Sequence, residues 1–221
     1  MSQILLSILI PSTPDRRKDL SKLLDCISEQ EYTRTVDMFD IGELNCSRYY
    51  DLLCPIEILV FEDKKTMTIG EKRELLYKNA KGTHSIQVDS DDLLAPNAID
   101  LILQAIKENP DVDCVTFEER CQMNGQLYCA NHSLRYDDWE GDGSKLLPDG
   151  FHFHRTPFYK NVIKTTIAQS VPFEYIRFGE DHAWSRALKP HLKTEIHIPK
   201  QLYYYIHEHN QTFEERYGLN Q

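Results

Sequence analysis

From Ile4 to Ile10 every position but Ser7 is apolar, the continuous run expected of a strand covered on both faces. Pro11-Ser12-Thr13-Pro14 ends that run. Leu20, Leu23, Leu24 and Ile27 then recur at helical spacing behind Asp15, which suits an N-cap. A second apolar strand is predicted over Ile56 to Phe61, a helix over Gly70 to Ala80, and a third strand over His84 to Val88. Pro96 opens a further helix carrying Ile99, Ile102, Leu103 and Ile106, and Val112 to Phe117 forms a fourth strand. Strands alternating with helices in this way predict an α/β domain with a mostly parallel, Rossmann-like sheet flanked by helices. Ligands of such sheets bind outside the carboxyl ends of the strands.

The second half is less regular. Asn124-Gly125 predicts a hairpin turn, and Tyr136 to Gly150 reads as a polar, glycine-rich loop. A short helix is expected over Asp181 to Leu188, and strands over Glu195 to Ile198 and Leu202 to Ile206. The segment from Glu31 to Pro55 matches neither period and reads as an insertion between the first helix and the second strand.

At 221 residues the chain is long enough for one well-buried domain and short for two. A single domain over 1–221 is expected, with a ligand-binding half over about 1–118 and a second half over about 119–221. No apolar run approaches the ~20 residues of a spanning helix. The start lacks a basic n-region and reads as the first strand, so a cytoplasmic protein without an integral membrane segment is expected. The six cysteines show no CxxC spacing and read as reduced, small apolar residues. A net charge of -10 argues against a broad grip on phosphate backbones but suits a divalent cation beside a nucleotide diphosphate.

Three constellations carry candidate chemistry. Asp89-Ser90-Asp91-Asp92 follows the third strand directly, and its crowded carboxylates repel unless a cation joins them; a turn capping the next helix is the alternative. Gly179-Glu180-Asp181-His182-Ala183-Trp184 sets carboxylates at a helix start, where Asp181 could act as a base and Trp184 as a sugar platform; an N-cap followed by a core tryptophan is the plainer account. His207-Glu208-His209 and His152-Phe153-His154 each direct two imidazoles to one face of a strand, the arrangement of a metal pair or of ordinary surface histidines. Arg73 could face a diphosphate, and His152, His154, Arg155, Tyr159, Lys160 and Lys164 could form a local basic and aromatic patch.

Leu6 to Ser12, Glu57 to Asp63, Gly70 to Arg73 and Ala80 to Asp92, followed by Gly179-Glu180-Asp181-x-x-Trp184, together resemble the family-2 glycosyltransferases of GT-A fold. The matches run from residue 4 to residue 210. The resemblance implies an inverting, metal-dependent transfer of a sugar from a nucleotide sugar, UDP-linked by expectation, to a hydroxyl acceptor. It places Pro11, Ser12 and Thr13 at the base and ribose, Glu62 and Asp63 at the base, Arg73 near the nucleotide, and Asp89 with Ser90 at the ribose. Asp91 would bind Mn²⁺ or Mg²⁺, with His207 or His209 near it. Asp181 would be the catalytic base, and Trp184, Glu180 and His154 would lie toward the acceptor. Pro-Ser-Thr-Pro after strand one, Lys64-Lys65 and Glu74 depart from the family pattern and bear on the base and donor sugar.

Acceptors compatible with this reading are a glycan, a lipid-linked sugar, a protein or a modified nucleic-acid base. Competing classes are a sugar nucleotidyltransferase, a metallohydrolase built on the two His-x-His pairs, and a nucleotide-sugar-binding module without catalysis. The first would carry a glycine-rich basic loop after strand one, which this sequence lacks.

Overall fold

The computed structural model describes residues 3–30, 35–41, 44–50, 55–176 and 178–207. In chain order the strands are β1 (Leu6–Ser12), β2 (Thr35–Ile41), β3 (Leu44–Tyr50), β4 (Ile56–Glu62), β5 (His84–Gln87), β6 (Leu93–Leu94), β7 (Cys114–Met123), β8 (Gln126–His132), β9 (Phe153–Arg155), β10 (Val162–Lys164) and β11 (Glu195–His207). The helices are α1 (Arg17–Ser28), α2 (Ile69–Asn79), α3 (Ala98–Glu108), α4 (Thr165–Ser170) and α5 (Glu180–Leu188). All strands join one sheet in the order β2-β3-β4-β1-β5-β10-β7-β11-β6, with β8 and β9 continuing from β7.

The centre is parallel: β1 pairs β4 over Leu6 to Ser12 and β5 over Leu6 to Leu9. β10 is antiparallel to both β5 and β7, so β7 still runs with β5, and β11 lies parallel to β7. The carboxyl ends of β4, β1, β5, β7 and β11 therefore face the same way. β1 and β4 are buried at every position; the polar breaks in their apolar runs, Ser7 and Glu57, are buried together, Ser7 Oγ donating to the Glu57 carboxylate at 2.7 Å. α1 and α3 cover one face of the sheet around Ile8, Ile10, Ile99 and Ile102, whereas α2 and α5 cover the other around Leu76, Tyr77 and Trp184.

Several local expectations change. Asp15 does not cap α1; it lies in a 3-10 turn over Pro14–Arg16, and its carboxylate accepts from Lys65 Nζ at 2.9 Å. The helix expected from Gly70 begins at Ile69, because Thr68 and Glu71 form a reciprocal capping box. The helix expected from Pro96 begins two residues later. Asn124 and Gly125 both take positive φ in the β7–β8 turn, the backbone that a two-residue hairpin needs. The two strands expected around Pro199 are one strand, β11, with register shifts between Ile198 and Tyr203.

The unplaced segment from Glu31 to Pro55 contributes a β-hairpin, β2 with β3, added antiparallel to the edge of β4. Arg48 ties it down: Nε lies 3.0 Å from the buried Glu57 carboxylate, and the guanidinium also donates to Asn79 O at 2.9 Å. Among the described residues Cys46, Cys114 and Cys121 are buried free thiols, and no helix is long and apolar enough to cross a membrane.

Candidate functional site

A cleft of about 460 Å³ opens where the carboxyl ends of β1, β5 and β11 meet the start of α5. Its walls bring together Pro11, Ser12, Thr13, Arg73, Asp89, Ser90, Asp91, Glu180, Asp181 and His207, residues from five separated stretches of sequence. Each is delivered by a simple local device. The β1 run stops at Pro11, the Asp turn follows β5, and β11 ends at His207. Gly179 adopts φ 82° immediately before α5, a left-handed turn that a residue with a Cβ resists, and so sets Glu180 and Asp181 in the helix's first turn.

The guanidinium of Arg73 is the electrostatic centre. It is 3% exposed, lies 3.0 Å from Asp89 Oδ1 and 3.4 Å from Glu180 Oε1, and stacks 3.5 Å over the Tyr159 ring. Burial opposes its charge, but Asp89 and Glu180 outweigh burial and keep it ionised. Burial likewise opposes the Asp89 charge; Arg73 overcomes it and holds that carboxyl below the usual range, and Tyr159 Oη donates to Asp89 at 2.8 Å. Burial raises the Glu180 carboxyl despite Arg73. Asp181 is partly exposed at the cleft wall, and its Oδ1 accepts from the His182 amide at 2.8 Å.

The third carboxylate of the Asp turn serves the fold. Asp92 is 1% exposed, accepts from Tyr203 Oη at 2.7 Å and from the Ile206 amide at 2.9 Å, and so fixes β11 where His207 reaches the cleft. Behind it Lys160 donates to Glu119 at 2.8 Å and lies 3.7 Å from Asp92 and 3.8 Å from the Tyr205 ring centre; Glu119 in turn meets His132 at 3.0 Å.

Other expected site residues lie elsewhere. Asp63 is fully buried, pairs with Lys72, and accepts the Thr66 and Met67 amides at 2.8 and 3.0 Å, so its carboxylate is consumed in the turn after β4. Glu62 accepts from Arg17 at 2.8 Å and is absent from the cleft wall. Trp184 is no sugar platform: it is 1% exposed, stacks on Phe173 with ring centres 4.6 Å apart, and donates Nε1–H to Val171 O at 2.9 Å. The aromatic surface next to the carboxylates was needed to close the core.

His154 pairs with Asp149 at 2.9 Å and stacks on Tyr136, outside the cleft wall. The basic and aromatic patch expected over residues 152 to 164 does not form, because Tyr159 and Lys160 are buried and bonded internally. His209 lies outside the described residues. Arg16, Lys72, Tyr159 and Tyr205 line the cleft without having been singled out as donor-site residues; only the Pro-Asp-Arg-Arg and Glu-Lys-Arg runs signalled nearby positive charge.

Among the described residues no group of three or more His, Cys, Asp or Glu side chains collects into a metal cage. Asp91 and His207 share the cleft wall and offer a carboxylate and an imidazole. Such a set fits Mn²⁺ or Mg²⁺ at a nucleotide site, where one or two protein ligands are completed by phosphate oxygens and water. Of the two His-x-His pairs, His207 lines the cleft while His152 and His154 are absent from its wall.

No family model matches the chain. Over 123 residues it is 24% identical to an uncharacterized glycosyltransferase of Haemophilus influenzae, covering 54% of this chain and 40% of that protein. The structure of S. aureus TarS residues 1–349 in complex with UDP-GlcNAc superposes with a TM-score of 0.61 at 14% identity, over 94% of this chain and 60% of that one. The fold is the GT-A glycosyltransferase fold. The same TarS fragment in complex with UDP gives a TM-score of 0.60 at 15% identity, over 91% of this chain and 60% of that one. The chain thus spans less than two thirds of the length of these relatives.

Proposed function

We propose that this chain transfers a sugar from a nucleoside-diphosphate sugar, UDP-linked, to an acceptor hydroxyl by a single displacement with inversion. The observation that carries the reading is one cleft holding the strand-end residues Ser12 and Thr13, the Asp89–Asp91 turn and the helix-borne Asp181. Ser12, on the cleft wall, is 3% exposed, and its buried Oγ has no partner within the protein among the described residues. The complexes of TarS with UDP-GlcNAc and with UDP, on the same fold, support the choice of donor.

In this reading Pro11, Ser12 and Thr13 receive the base and ribose, and Asp89, held by Arg73 and Tyr159, presents a fixed acceptor to the ribose hydroxyls. Asp181 takes the proton of the attacking hydroxyl as that oxygen bonds to the anomeric carbon and the bond to the diphosphate breaks. Glu180, tied to Arg73, fixes the first turn of α5 and so the position of Asp181. Mn²⁺ or Mg²⁺, held by Asp91 and His207, would neutralise charge on the departing diphosphate.

Calorimetric titration of UDP, then of other nucleoside diphosphates, tests the donor site with Mn²⁺ and with chelator. Binding that needs the metal and is lost in Asp91→Ala is the expected result; silence from every nucleotide in both conditions would remove the reading. Asp181→Asn should retain donor binding while losing ~10²–10⁴-fold in turnover, the contribution of a positioned base. Unchanged turnover in that variant assigns the base elsewhere.

A further inference from the structure

The cations lining the cleft among the described residues are Arg16, Lys72 and Arg73, and they differ in how firmly they are held. Lys72 is 4% exposed, pairs with the buried Asp63 and donates to Ser12 O at 2.8 Å. Arg73 is bound between Asp89 and Glu180. Moving either would strand a buried carboxylate, which is strongly unfavourable. Arg16 is in a different position. Its NH1 lies 2.8 Å from Asp91 Oδ2, with the two side chains 31% and 26% exposed, and Asp19 is 3.9 Å away as an alternative partner. A half-solvated pair of this kind is worth little and exchanges readily.

Asp91 is also the carboxylate that the donor-site reading gives to the divalent ion. A carboxylate oxygen in a close ion pair with a guanidinium is a poor ligand, so an ion arriving at Asp91 competes with Arg16. The displaced guanidinium remains at the cleft wall, where its planar fork matches a phosphate oxygen pair.

We propose that Arg16 is an exchangeable cation of the donor site: it pairs with Asp91 until a divalent ion takes that carboxylate, and then binds the donor diphosphate. This rests on the donor-site reading and adds to it a residue and a coupling. Metal and diphosphate each favour the other, because each removes a partner that the other must displace, and the coupling is reciprocal by linkage.

The test is calorimetry on the wild type, Arg16→Ala, Arg16→Lys and Asp91→Asn with three probes: Mn²⁺ alone, UDP with chelator, and UDP in saturating Mn²⁺. Arg16→Ala should bind Mn²⁺ alone about 1.5- to 5-fold more tightly, the range of a part-exposed ion pair. The same variant should bind UDP in Mn²⁺ about tenfold or more weakly, as expected for loss of a charge-assisted contact. Arg16→Lys, which keeps the charge without the fork, should fall between. Asp91→Asn should lose the gain that Mn²⁺ gives to UDP binding, while in chelator, with its Arg16 already released, it should bind UDP no more weakly than wild type. If wild type binds UDP with Mn²⁺ and Arg16→Ala matches it for both ligands, the exchange is wrong and the donor site stands. If wild type binds no nucleoside diphosphate, the donor site and the exchange fall together.

Discussion

Replacing Lys160 by Met removes the cation between Glu119 and Asp92; burial raises the Asp92 carboxyl to about 8 even beside Lys160, so Glu119 carries the charge that the substitution strands. Lys160 is 5% exposed, and its ammonium serves Glu119 at 2.8 Å and Asp92 at 3.7 Å. Methionine fills most of the same volume, so the loss is electrostatic more than steric. Removing one partner of a buried pair costs about 3–5 kcal/mol, because the other charge stays in the interior. Against a typical total of about 5–15 kcal/mol that is a large share.

The pH dependence supplies a second signature. Burial alone would raise the Glu119 carboxyl, but in the wild type Lys160 and then His132 outweigh it and hold Glu119 at about 2. A carboxyl depressed in the folded state stabilises above its unfolded value of 4.5 and loses that contribution as pH falls toward 2. Without Lys160 the sign reverses: burial is opposed only by His132, the folded carboxyl rises, and protonation then stabilises the fold. Urea unfolding followed by tryptophan fluorescence should therefore show Lys160→Met far below wild type at pH 7.5, with the gap narrowing as pH falls to 5. The double variant Lys160→Met/Glu119→Gln should recover about half of the loss. A gap under about 1 kcal/mol at pH 7.5, or one that ignores pH, would refute the argument, since the expected loss is several times larger.

Trp184→Phe keeps the stack on Phe173 but leaves Val171 O without its donor, so thermal unfolding should report a loss of about 1–3 kcal/mol. The KM for donor should not move; a KM effect without destabilisation would return Trp184 to the binding surface. Wild-type stability should decline between pH 4.5 and about 2 with a Glu119 contribution of roughly 3 kcal/mol, which Glu119→Gln abolishes in urea titrations at successive pH values. A fragment ending at residue 118 should show no cooperative urea transition, because β5 and β7 would lose the strand between them. A sharp transition with native-like circular dichroism from that fragment would contradict the shared sheet.

The elements read correctly from sequence are those whose apolar pattern is dictated by burial on both sides or on one helical face. β1 and β4 are buried at every residue, and α3 buries Ile99, Ile102, Leu103 and Ile106 on a single stripe. The hairpin β2–β3 escaped because it is an edge addition whose exposed positions, such as Met38 at 73%, break any simple alternation. β10 escaped because three residues carry no period; the neighbours β5 and β7 define it. In the cleft, residues directly after an apolar strand were legible, since a strand end in an α/β sheet is a place with a known use. Trp184 and Asp63 were misplaced because an aromatic or a carboxylate beside a site serves the core as readily as a ligand. Asp92 shows the same ambiguity inside one motif: three neighbouring aspartates divide into two that face the cleft and one that anchors β11.

Contacts around the cleft join the two halves of the chain. The first half supplies Asp89 and Arg73, and the second supplies Tyr159, Glu180 and Asp181. A single guanidinium joins them: Arg73 holds Asp89 at the end of β5, packs on Tyr159 and reaches Glu180 at the start of α5. Beneath the cleft, β10 enters the sheet between two strands of the first half, and Tyr77 of α2 stacks on Trp184 of α5 with ring centres 5.4 Å apart. Asp89 and Glu180 are thus fixed relative to one another by buried contacts through Arg73. The proposed inverting displacement would use that relationship, because the base and the leaving group must stand on opposite sides of one carbon, and small misplacements cost rate steeply. Arg73 occupies the position from which both can be held.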